Sequence, residues 1–119
     1  MIHCYDAPPI AAKGLPAARR YAGIAPGVPH ALHMPSHIFT RGGAWAESAA
    51  TNERSAVAAK RDNDPDDQLH ALDYLVYAYL QLARDGDARR VVEDAALVPD
   101  AYPGRFIFPY PIEIGRAHV

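Results

Sequence analysis

The chain is 119 residues long, enough for one small domain with a modest core. Half of its residues are hydrophobic and 22% are charged, which excludes both a disordered polyelectrolyte and a membrane-embedded chain. A net charge of -2 supplies no basic surface for nucleic acid or an anionic membrane, so neither is expected as a partner. No apolar run reaches the width of a bilayer and no leader pattern stands at the N-terminus, leaving the cytoplasm as the default expectation. A single cysteine, Cys4, rules out an internal disulfide and reads as a small buried hydrophobe.

Taken in order, Ile2-His3-Cys4-Tyr5 reads as the back of a helix, which Pro8 and Pro9 end. A second helix is predicted over 15–24, with Pro16 in its first turn and Ala17, Ala18, Tyr21 and Ile24 as its packing face. Pro26-Gly27-Val28-Pro29 breaks the chain before a third helix, which ends at Gly42-Gly43 and packs through Leu32, Ser36 and Phe39. The fourth, over 45–61, is rich in alanine, so its neighbours can approach closely. Asp66 and Asp67 suit the start of a fifth helix over 68–83, where Leu72, Leu75, Val76, Tyr79 and Leu82 keep the helical period. Asp85-Gly86 turns into a sixth helix, 87 to about 97, and the pattern stops after Pro99.

The third helix carries the one motif with chemistry in it: His30, His33 and His37, spaced three and then four residues apart along one stripe. Forty residues on, His30-Ala31-Leu32 recurs as His70-Ala71-Leu72. At that offset Leu32 overlies Leu72, Phe39 overlies Tyr79, and Ser48 overlies Ala88. Asn52 falls on Val92 and Ser55 on Ala95. Helix pairs recurring at this period predict an α-solenoid of antiparallel hairpins.

These positions resemble the tetratricopeptide repeat, with Leu32 and Leu72 as the early large apolar residue and Phe39 and Tyr79 as the late aromatic. Ser48 and Ala88 stand for the small residue of its second helix. The resemblance departs at Pro35, where a leucine is usual, at Val76, where a small residue is usual, and at Asn52, where an aromatic is usual. Ile-His-Cys-Tyr-Asp, His-Met-Pro-Ser-His-Ile-Phe and His-Ala-Leu-Asp-Tyr-Leu are also similar to segments of bacterial proteins of that family. The resemblance runs over residues 1–98 and implies an all-α superhelix: a partial first repeat, then 29–62 and 69–98. It implies that this chain is a piece of a longer protein. Residues 99–119 read as an irregular tail, of which 113–119 resemble a translated sequencing adapter and are expected to be non-native, so His118 enters no site.

The resemblance further implies that the first helix of each pair lines a concave surface, bearing His30, His33, His37 and Thr40 in one unit and His70, Asp73, Tyr77 and Leu80 in the next. His3 matches His37 if the leading segment is also a first helix. Three uses compete for such a wall. The rings could be structural, their N–H groups meeting carbonyls freed by Pro35. They could line a groove for a protein segment or small ligand, with His30, His33, His37, His70, Asp73 and Tyr77 as its contacts. Or they could ligate zinc or another transition metal, through His33 and His37 one turn apart with His3, His30 or His70 and a carboxylate such as Asp73.

The remaining candidates are thin. Ser36 lies beside two histidines but does not face them along a helix. Asp62, Asp64, Asp66 and Asp67 lack the glycine and the terminal glutamate of a calcium loop. The expectation is therefore a non-catalytic scaffold that needs no cofactor, its alternative a histidine-ligated metal site in a larger metalloenzyme. Bare repeat ends are expected to promote self-association.

Overall fold

Prolines and left-handed turn residues set the element boundaries. The computed structural model describes residues 2–99; the predicted tail lies outside the described residues apart from Pro99. A 3-10 turn, Ile2–Tyr5, precedes six α-helices: α1 (Ala11–Tyr21), α2 (Pro29–His33), α3 (Pro35–Arg41), α4 (Trp45–Arg61), α5 (Pro65–Gln81) and α6 (Asp85–Ala95). There is no strand among the described residues, so the fold is all-α.

α2 and α3 are two halves of one rod. Each opens on a proline, whose missing N–H costs nothing in a first helical turn. Between them Met34 keeps right-handed helical angles (φ -48, ψ -41), so His30 and His33 are helical and stay in phase with His37. Pro35 interrupts the ladder without turning the chain.

The other helices begin and end near the sequence boundaries, with four differences. α1 starts at Ala11 rather than about residue 15, because its early turns are held by tertiary contact. Gly14 lets the chain at Tyr5 come so near that an added Cβ would stand 2.8 Å from Tyr5 Cβ. α1 also stops at Tyr21, leaving Ile24 in a turn and 72% exposed instead of packed. α5 starts three residues early, at Pro65, because the Asp64 carboxylate accepts from the Asp67 backbone N–H (3.0 Å) and caps it. α6 takes in Asp85 and Gly86, the turn having been made just before them. Cys4 is exposed, since Ile2 takes the inward place on the 3-10 turn.

The turns repeat as the sequence does. After α3, α4 and α5 the chain closes with one residue of positive φ, respectively Gly43 (71°), Asn63 (55°) and Ala83 (55°). Each time the next N–H returns to a carbonyl of the last helical turn: Ala44 to Phe39 (2.8 Å), Asp64 to Ala59 (2.9 Å) and Arg84 to Tyr79 (2.9 Å). Each helix therefore folds back on its predecessor, and α3 packs on α4, α4 on α5, and α5 on α6. The overlaid pairs are all buried: Leu32 with Leu72, Phe39 with Tyr79, Ser48 with Ala88, Asn52 with Val92, and Ser55 with Ala95.

Two apolar clusters result. One joins Ala49 and Ala56 of α4 to Leu72, Leu75 and Val76 of α5 and Val91 and Val92 of α6. The other gathers Ile2, Ala18, Met34, Ile38 and Phe39 from the N-terminal segment, α1 and the broken rod. The histidines stand where α2 and α3, which carry the second cluster, meet α4 and α5, which carry the first.

Ala83 occupies a conformation that suits glycine, while Gly43 fills the same place forty residues earlier. We expect Ala83→Gly to raise stability by about 0.5–1 kcal/mol, and Gly43→Ala to lower it by a similar amount. Urea unfolding of the two variants checks both signs.

Candidate functional site

The site begins with a buried amide. Asn52 of α4 is 0% exposed and stands where the second hairpin has Val92. Its Nδ2 donates to the Ser48 carbonyl (2.8 Å), and because a carbonyl only accepts, the amide's orientation is fixed. Oδ1 is thereby turned toward His33 Nδ1, 2.7 Å away. An amide oxygen also only accepts, so the proton sits on His33 Nδ1 and the lone pair on Nε2. His33 is 1% exposed; burial first, then the nearby His70, pushes its pKa down to about 2. It is a neutral ring with one defined tautomer.

That lone pair points at a second ring. His37 of α3, one turn away, places its own Nε2 3.1 Å from His33 Nε2. Its Nδ1 lies 3.1 Å from Asp6 Oδ2, and the Tyr74 hydroxyl is 3.2 Å from the same nitrogen. Burial works to raise the Asp6 pKa, but the Arg41 guanidinium and His37 outweigh it and hold the carboxyl below its ordinary value. Asp6 is thus an anion that can only accept, and His37 Nδ1 donates to it. Burial also lowers the His37 pKa, against the opposing pull of Asp6. With both rings neutral, two lone pairs face one gap.

His70 of α5 completes the group. Its ring centroid is 4.3 Å from that of His33 and 6.4 Å from that of His37. Burial first, then His37 and His30, takes its pKa down to about 4. One ligand nitrogen from each of His33, His37 and His70 lies within 4.8 Å of the other two. Tyr74 packs against all three rings, at 4.7, 5.1 and 5.5 Å between centroids. Burial, then the Asp6 charge, pushes its hydroxyl up to about 12, so it stays protonated.

The other sequence candidates fall around this group. His3 sets its ring against His37 at 5.2 Å and forms a second trio with Asp6 and His37, whose ligand atoms also lie within 4.8 Å of one another. His30 is half-exposed, with Nδ1 3.7 Å from Asp67 Oδ1. Tyr77 is on the surface against Trp45, 5.5 Å between centroids. Asp73 is buried on α5 and belongs to neither trio. The ring nitrogens of His33 and His37 meet side chains and each other, so neither is spent on a carbonyl freed by Pro35. Ser36 Oγ is buried without a hydrogen-bond partner, so no base reaches it as a nucleophile would need.

Sequence reasoning missed Asn52, Asp6 and Tyr74 as parts of the site. Asn52 did carry a signal, as an amide where its repeat partner is apolar. Asp6 and Tyr74 carried none, since only the folded chain brings them to His37.

Set against models of known protein families, curated proteins and solved structures, the chain matches none.

Two outcomes follow for the metal-free protein. Asn52→Ala strands a buried imidazole N–H and is expected to cost about 1–3 kcal/mol in urea unfolding. His33 and His70 titrate near pH 6.5 when unfolded but only at about 2 and about 4 when folded. The unfolded chain therefore binds more protons below 6.5, and stability should fall as pH drops from there toward 4. Thermal melts across that window, repeated with His70→Gln to remove one group, should show a shallower fall in the variant.

Proposed function

We propose that this chain binds a transition-metal ion, zinc before others, through His33, His37 and His70. The observation that carries the reading is the pair of Nε2 atoms 3.1 Å apart, each on a ring whose Nδ1 faces an oxygen acceptor, Asn52 Oδ1 for His33 and Asp6 Oδ2 for His37. Two nitrogens on one tetrahedral zinc, each about 2.0–2.1 Å from it, stand about 3.3 Å from one another. Ligating histidines characteristically donate their other N–H to a carboxylate or carbonyl oxygen, which are the roles of Asp6 and Asn52. A proton in the gap would also relieve the lone-pair conflict. Burial opposes the cationic ring, however, whereas three converging nitrogens suit a divalent ion. Three imidazoles leave a fourth position for water or a small ligand; copper, nickel and non-haem iron share the preference for nitrogen.

We propose further that α2–α4 and α5–α6 are successive units of a tetratricopeptide-like superhelix. The forty-residue recurrence of turn geometry and buried positions supports that finer reading. On it, docking of a protein segment is a second function, favoured by the exposed Tyr77 (38%) and Leu80 (39%) on α5. Such a partner would touch His30 and Tyr77 and not the buried His33.

Zinc or cobalt titrated into the chelator-stripped chain tests the metal reading. One ion per chain is expected, with cobalt giving the intense visible bands of tetrahedral coordination. His37→Ala and His70→Ala should each weaken binding by about 100-fold or more. Binding that ignores both changes would overturn the assignment.

A further inference from the structure

Asp6 does more than orient a ring. It sits in the turn between the N-terminal 3-10 turn and α1, and its two oxygens are divided between His37 Nδ1 (3.1 Å) and Arg41 Nε (2.8 Å). The segment around it is held to the broken rod by Ile2, packed with Met34, Ile38 and Phe39, and by Tyr5 beside them. His3 lies edge-on to His37. We infer that filling the three-histidine site and seating residues 2–10 against α3 are one coupled event, transmitted through the His37 imidazole to Asp6; this rests on the metal reading above.

The coupling follows from the arrangement of atoms. A divalent ion on His37 Nε2 draws electron density from the ring, making Nδ1–H a stronger donor to the carboxylate beyond it. It also adds positive charge to a part-buried site whose ionised neighbour at that ring is Asp6. Whatever Asp6 adds to metal affinity, the metal must return as tighter docking of the segment that carries Asp6. Without that segment His37 loses its acceptor and the site loses its anion.

A competing use of the same atoms is a second ion between His3, Asp6 and His37. Two features weigh against it. His37 Nδ1 would have to give up its proton, and the Arg41 guanidinium already pairs with Asp6. Asp6 alone acts instead as the tie between the N-terminal segment and the metal ligand, with His3 only packed beside it.

The test combines zinc affinity with hydrogen exchange on the full chain. In the unaltered protein, zinc should slow amide exchange across residues 2–10. Asp6→Asn keeps the shape of the side chain but removes its charge; it should weaken zinc binding by about 10- to 100-fold and abolish the zinc-dependent protection of the segment. His3→Ala, which leaves the Asp6–His37 bond in place, should hold its affinity within about twofold of the unaltered chain. Zinc binding with unchanged affinity in Asp6→Asn, or with no change in exchange over residues 2–10, would overturn the coupling while leaving the metal site standing. A second bound zinc lost in His3→Ala would also overturn it. Failure of zinc to bind the unaltered chain at all would remove the metal site itself, a result distinct from these.

Discussion

The site depends on a buried hydrogen bond between two side chains, His33 Nδ1–H to Asn52 Oδ1 at 2.7 Å. Neither residue belongs inside an apolar core on its own account. Each is tolerable there because the other satisfies it, and because Asn52 Nδ2 donates to the Ser48 carbonyl. The bond is directional, so it also selects a tautomer. A structural constraint thus becomes a chemical one: a lone pair on His33 Nε2, buried, neutral and aimed at the next ring.

The same logic extends outward by one residue at a time. His37 presents Nε2 to that gap because Asp6 takes its other side, and Asp6 is an anion because Arg41 stands behind it. His70 and Tyr74 arrive from α5, which folds back on α4 through the turn at Asn63. Helical stacking puts the parts within reach, and the acceptors decide what each ring offers. A polar layer of this kind destabilises a fold wherever it is only partly satisfied, which is a physical reason to look for a cation in it.

The helical frame was legible because it is written in local signals. Gly43 at a helix end, Asp66 and Asp67 in a first turn and the 45–61 alanine-rich stretch each act within a turn or two of themselves, and they landed in or beside the elements the pattern gave them. The forty-residue overlay held for the same reason: Leu32 and Leu72, or Phe39 and Tyr79, face inward by helical phase alone. Where prediction slipped, at α5 a local cap by Asp64 had moved the start to Pro65, and at α1 tertiary contact had overruled propensity. α1 starts ahead of Pro16 because Gly14 is pressed against Tyr5 of the N-terminal segment, and Ile24 is left outside once the helix stops early. At the site, spacing could bring His33 to His37, and repetition could bring His70 alongside. It could not distinguish His33, sealed inside, from His30, half in water on the same helix, because that depends on which neighbour covers the stripe. Asp6 lies 31 residues from His37 in sequence, and no periodicity links them.

The most direct test is the protonation of one ring. Long-range nitrogen–proton correlation spectra of the metal-free chain at neutral pH report which imidazole nitrogen carries the proton. The account predicts that His33 is neutral with its proton on Nδ1 and an unprotonated Nε2. A proton found on His33 Nε2, or on both nitrogens, would contradict it.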